Sequence, residues 1–184
     1  GGLRVWSLRD AQLIDPLHGH ESAVVSVAFD PTGSGRLMSA SWDKTVRLWS
    51  LFDRDKKMTV LEHDSDVLSA QWRPDGRELA AAGLNGLVSV WATADIGVSS
   101  ADYHLARTLD VRRDIADRPL SGAHVRSLGY SLDGQFLFMA GVFPFVAIYD
   151  AHSQVLIRRH NLTHVKKGKK GEGNESGEAR QLAC

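Results

Sequence analysis

Short apolar or alternating runs, bounded by turn-formers, set the pattern of the chain. VVSVAF at 24–29, RLMSASW at 36–42 and TVRLW at 45–49 are β-branched and aromatic. Each is too short for a helix, so they predict strands. A weaker run, MTVLE at 58–62, predicts a fourth. Turn chemistry follows the aromatic ends: DPTGSG at 30–35, RPDG at 73–76 and SLDG at 131–134. Glycine accepts positive φ there, and proline presets the first corner. The longest uncharged runs, 79–94 and 134–149, are 16 residues each. Both contain turn-formers, and both fall short of the roughly 20 apolar residues of a spanning helix. Buried strands are predicted in them, with no membrane partner.

The tryptophans then reveal a repeat. Trp6 to Trp49 is 43 residues, and Trp49 to Trp91 is 42. Similar stretches end at each: GGLRVW at 1–6, DKTVRLW at 43–49 and NGLVSVW at 85–91. A fourth, FPFVAIY, ends at Tyr149 after 58 residues, so about 16 extra residues are inserted before it. Upstream, His20 lies nine residues before Phe29, His63 nine before Trp72 and Ser121 nine before Tyr130.

Four short antiparallel strands per 40–45 residues mark a propeller blade. With Gly19–His20 opening a repeat, Asp43 at its inner turn and Trp49 closing its third strand, the sequence resembles the WD-repeat family. The resemblance implies an all-β fold, a partial WD-repeat β-propeller of about three to four blades. It divides the chain into a blade remnant 1–18, repeats 19–61 and 62–96, an insertion 97–120, a divergent repeat 121–163 and a polar tail 164–184. It also implies a structural tetrad of His20, Ser39, Asp43 and Trp49 joined by hydrogen bonds. The second copy is degenerate, with His63, Ala81, Asn85 and Trp91 at those positions. The third has Ser121, Met139, Phe143 and Tyr149, which cannot form the network. Three blades and a fraction cannot close a ring, because an open arc leaves sheet edges and apolar faces unpaired. The chain is therefore expected to be a piece of a larger propeller and to fold poorly alone.

Composition narrows the chemistry. Lys plus Arg and Asp plus Glu are 22 each, so the net charge is zero, which argues against a broadly basic nucleic-acid footprint. The single cysteine, Cys184, excludes an internal disulfide and any cysteine-based zinc site. Ser39, His20 and Asp43 are the residue types of a hydrolytic triad. The tetrad reading outweighs a triad, since a serine engaged with an indole cannot reach a substrate and no nucleophile elbow accompanies it. His20–Glu21 opens like a zincin motif, but Val24 replaces the second ligand. No phosphate-binding glycine loop or dinucleotide fingerprint is present. The expectation is no enzyme, cofactor, metal or small-molecule substrate.

Segments outside the repeat offer surfaces. Trp42 precedes Asp43 at a blade tip, where an exposed tryptophan can anchor a partner. DVRRDIADR at 110–118 carries Arg112 and Arg113 and reads as a solvated joining loop or, alternatively, a partner-binding one. KKGKK at 166–170 opens a tail that reads as a disordered linker. The stretches SASWDKTVRLWSLF at 39–52, HDSDVLSAQWRPDGRELAAAGLNG at 63–86, DVRRDI at 110–115 and YSLDGQFLFMAG at 130–141 occur in that order. Their combination is similar to the periodic tryptophan protein 2 family of the small-subunit processome. Phe143–Pro144 departs from that pattern, which has small polar turn residues there. The resemblance implies a nucleolar, nuclear scaffold. Its partners would be other WD-repeat subunits of a processome subcomplex, and pre-ribosomal RNA or a small nucleolar ribonucleoprotein, contacted directly or indirectly. The rival readings are an adaptor of a ubiquitin-ligase, coat or signalling complex and, last, a hydrolase.

Overall fold

The computed structural model describes residues 1–52, 58–93, 102–115 and 122–161. Two strands come first, β1 (Leu3–Ser7) and β2 (Gln12–Leu17), paired as a hairpin. Three four-stranded antiparallel sheets follow in chain order. The first is β3 (Val24–Phe29), β4 (Arg36–Ser41), β5 (Thr45–Ser50) and β6 (Met58–Glu62). The second is β7 (Val67–Trp72), β8 (Glu78–Gly83), β9 (Leu87–Ala92) and β10 (His104–Asp110), after which comes one turn of helix, α1 (Val111–Ile115). The third is β11 (Val125–Tyr130), β12 (Phe136–Gly141), β13 (Phe145–Asp150) and β14 (Leu156–Asn161). Each sheet is a simple meander, so each is one blade, and the chain is a partial all-β propeller. Among the described residues no helix is long and apolar enough to cross a membrane.

Buried residues lie between the blades. Met38, Ala40, Val46 and Leu48 of the first blade pack on Val67, Ala70, Trp72 and Leu79 of the second. Ala80, Ala82, Val88 and Val90 pack in turn on Leu128, Leu137, Met139 and Tyr149 of the third. The middle strands β4 and β8 are buried along their whole length, which is why, after the paired charges Arg36 and Glu78 that open them, their runs are apolar or small with no alternation.

Charge also joins the blades. Arg36, fully buried, donates from Nε to Asp30 at 3.0 Å and lies over the rings of Trp72 and Tyr103 of the next blade, 5.5 and 5.3 Å from their centroids. Asp30 accepts further bonds from the Thr32 amide and the Thr32 and Ser34 hydroxyls at 2.7–2.8 Å. Its charge is thus compensated inside the protein. Arg107 on β10 donates to both carboxylate oxygens of Glu78 at 2.8–2.9 Å and to the Ala151 carbonyl of the third blade at 2.9 Å.

One expectation needs correction. The insertion 97–120, expected to be a solvated joining loop or a partner-binding one, supplies in its described part β10, the fourth strand of the second blade, and α1. Tyr103, Leu109 and Val111 are buried around it. An outermost strand has solvent along most of its length, so charged residues such as Arg107 and Asp110 break the apolar signal that identifies an inner strand. The tail 164–184 and Ser121 lie outside the described residues.

Candidate functional site

The first blade brings His20, Ser39, Asp43 and Trp49 together although they come from four separate positions on the chain. Ser39 lies mid-way along β4 and Trp49 near the end of β5, on the strand beside it. Asp43 occupies the turn between them, and His20 arrives from the segment before β3. The Trp49 indole N–H donates to Ser39 Oγ at 2.8 Å. Ser39 Oγ and His20 Nε2 are 2.7 Å apart, and His20 Nδ1 and Asp43 Oδ2 also 2.7 Å. A carboxylate only accepts, so His20 donates from Nδ1, and its Nε2 accepts the Ser39 hydroxyl proton. Every polar atom on this path has a partner.

Electrostatics agree with that direction. Burial lowers the His20 pKa below its ordinary value, with the hydrogen bond and charge of Asp43 opposing, which keeps the ring neutral. Burial works to raise the Asp43 pKa. It is outweighed by hydrogen bonds from the Thr45 hydroxyl, His20 and the Glu21 amide, which hold the carboxyl well below the usual range. The same atom sequence would serve a hydrolase. Here Ser39 is 0% exposed and its oxygen receives the indole proton, so the arrangement locks a turn and offers no nucleophile to solvent.

In the second blade the same positions leave a gap. Ala81, at the register of Ser39, has no hydroxyl, and Asn85 stands for the aspartate. His63 and Trp91 approach edge to face, with centroids 5.6 Å apart against 6.2 Å for His20 and Trp49. Both His63 Nε2 and Trp91 Nε1 are buried without a hydrogen-bond partner. Burial pushes the His63 pKa down to about 4. Asn85 keeps only the turn, its Oδ1 accepting from the Leu87 amide at 3.1 Å. The third blade fills the positions with apolar matter: Met139, Phe143 and Tyr149 are buried in one cluster, and Phe143 packs against Phe145 at 5.0 Å.

Above these three constructions lies a surface the repeat makes. Trp42, Leu84 and Val142 occupy one position in successive blades. Their amides donate at 2.9–3.0 Å to the carbonyls of Ala23, Asp66 and His124. All three side chains are about half exposed. A groove of about 490 Å³ runs beside them, lined by Val25, Trp42, Asp66, Leu68, Leu84, His124 and Arg126. It spans all three blades, and the sequence had pointed only to Trp42. The signal for the rest was the register of the repeat: Leu84 follows Gly83 and Val142 follows Gly141 as Trp42 follows Ser41. Arg112 donates from both Nε and Nη2 to Asp110 at 2.9 Å. Arg113 is largely exposed and only 3.3 Å from the same carboxylate. Among the described residues no group of three metal-ligating side chains occurs.

Known families match this architecture. The WD domain, G-beta repeat family matches residues 11–50 and 55–92, the stretches that supply β2–β5 and β6–β9. The chain belongs to the WD-repeat family. Within it the chain is similar to periodic tryptophan protein 2 of Arabidopsis thaliana, 38% identical over 171 residues, which is 87% of this chain and 18% of that protein. Its homolog in Mus musculus is 38% identical over 163 residues, 86% of this chain and 18% of that protein. WD repeat and SOCS box-containing protein 1 of Homo sapiens is 36% identical over 92 residues, 50% of this chain. The chain thus spans about 18% of the length of the periodic tryptophan proteins it matches.

Proposed function

We propose that the chain is part of a non-catalytic scaffold in ribosome biogenesis, one that assembles the small-subunit processome for processing of 18S pre-ribosomal RNA in the nucleolus. The observation that carries this reading is the extent of the likeness to periodic tryptophan protein 2. It covers about 86% of the chain in a plant and in a mouse, including the divergent third blade that a generic repeat match does not reach. The geometry supports a scaffold: the triad-like residues His20, Ser39 and Asp43 are engaged with one another and with Trp49, while an apolar groove spans three blade tips. Partners would be other WD-repeat subunits, with pre-ribosomal RNA or a small nucleolar ribonucleoprotein reached directly or through them. The mechanism is multivalent contact with no bond chemistry.

Affinity purification of the full-length protein, with proteins and RNA identified in the eluate, tests it. Recovery of nucleolar WD-repeat subunits with the 5′ spacer of pre-ribosomal RNA is expected. Recovery of ligase, coat or signalling partners without that RNA would replace it with the adaptor reading, to which the 36% identity to a SOCS box protein over 50% of this chain lends support.

A further inference from the structure

Arg47 and Ser89 hold one position in successive blades, the third residue of β5 and of β9. Arg47 fills the space beside its tetrad. Its Nε donates to Thr45 Oγ1 at 3.4 Å, and its Nη1 reaches the Met58 sulfur at 3.4 Å. Nη1 also lies so close over Gly19 that a Cβ there would collide with it. In the second blade the serine side chain stops short, and a cavity of about 140 Å³ takes up the corresponding space. The register of the repeat identifies its walls. Ser89 stands where Arg47 does, Glu62 where Gly19 does, Leu105 where Met58 does and Leu87 where Thr45 does. His63 and Asp64 complete it at the positions of His20 and Glu21.

The exchange inverts the charge. The first blade holds a cation in this space, and the second turns carboxylates toward it. Among the described residues neither Glu62 nor Asp64 makes a side-chain hydrogen bond or ion pair. Burial keeps the His63 ring neutral, so it does not repel a cation. We propose that this cavity takes the guanidinium of an arginine carried by another protein, with the carboxylates of Glu62 and Asp64 accepting from it and Leu105 against its stem. A guanidinium fits better than an ammonium, because its planar fork of donors meets several acceptors at once, and Arg47 shows that the fold has room for one. The lining comes from the second blade and from residues 62–65 that lead into it, so the neighbouring blades leave the cavity open and the cation arrives from outside the ring. Nothing in this site depends on the processome reading.

The test places a photo-crosslinking benzoylphenylalanine at position 105, half exposed at the mouth of the cavity, in the full-length protein within its native complex. A crosslink to one segment of another protein is expected. Replacing an arginine of that segment by alanine should cut the yield about tenfold, as loss of a charge-assisted hydrogen bond does, and lysine should restore only part of it. Ser89→Arg, which supplies a guanidinium from this chain, should abolish the crosslink. Glu62→Gln combined with Asp64→Asn keeps the shape, removes the charge and should also lower the yield about tenfold. A crosslink to this same polypeptide, to RNA or to nothing would overturn the proposal. So would a yield indifferent to the partner's arginines, or one unchanged by the paired Glu62→Gln and Asp64→Asn substitutions.

Discussion

In the first blade, His20 Nε2 and Trp49 Nε1 share the hydroxyl of Ser39; in the second, His63 Nε2 and Trp91 Nε1 share nothing. The backbone hardly registers the difference. β4–β5 and β8–β9 pair in the same register, and both inner turns hold an Asx-type bond. Backbone pairing and interblade packing therefore build a blade, and the tetrad adds a polar lock to it. The third blade makes the same point by replacing the lock with Phe143 and Met139. The second blade is tied to the third by Arg107, which pairs with Glu78 of its own blade and donates to the Ala151 carbonyl.

The largest break in this comparison is Asp43→Ala. It removes the acceptor for His20, Thr45 and the Glu21 amide, and should cost about 3 kcal/mol, read as a drop in thermal melting. The matching change Asn85→Ala, which loses a single turn bond, should cost about 1 kcal/mol. Acid comes next. His63 is harder to protonate folded, near 4, than unfolded, at the ordinary 6.5, so the unfolded chain takes up more protons between those values. Its contribution is present above pH 6.5 and is lost as pH falls to about 4, to a total of roughly 3 kcal/mol. His20 acts in the same direction. Below about pH 3.8 the unfolded chain takes up a proton at Asp43 that the folded carboxyl still resists, so the first blade's contribution also declines as the pH falls further. A chemical-denaturation series from pH 7 to 4 should slope downward, and His63→Gln should flatten it; an unchanged slope would contradict the buried neutral ring.

Smaller effects sharpen the contrast. Ser39→Ala turns the first blade into the second and should cost about 2 kcal/mol, by orphaning two buried nitrogens. Ala81→Ser supplies the hydroxyl that His63 and Trp91 lack and should gain about 1 kcal/mol, with the Trp91 indole proton becoming slower to exchange. A loss on Ala81→Ser would mean that the 5.6 Å approach of the rings leaves no room for the hydroxyl. Least of all in stability, within about 0.5 kcal/mol, is Trp42→Ala, since its side chain is half exposed. That substitution should nevertheless reduce partner recovery in the affinity purification, and a loss of soluble protein instead would show that Trp42 is core.

Inner strands were legible, and of the outer ones only β6, which lies where the run at 58–62 places it. β3, β4 and β5 lie where the apolar runs at 24–29, 36–42 and 45–49 place them. β2, β10 and β14 carry Asp15, Arg107 and Arg158, and their exposed faces blur any period. Of the candidate site, the tetrad positions followed from the resemblance to the WD-repeat family that Gly19–His20, Asp43 and Trp49 carry. The groove beside Trp42 did not, because Leu84, His124 and Arg126 are ordinary surface residues until three blades set them side by side.

By itself the sequence determined the repeat, the all-β class and the residue types at each tetrad position, because strand period and turn chemistry are local. Only the tertiary structure decided which polar groups meet and which are stranded. It also made Phe29 an open face and Trp72, at the same register, a buried one. Burial and hydrogen-bond satisfaction belong to pairs of blades, and the chain within a single repeat does not specify what its neighbour covers.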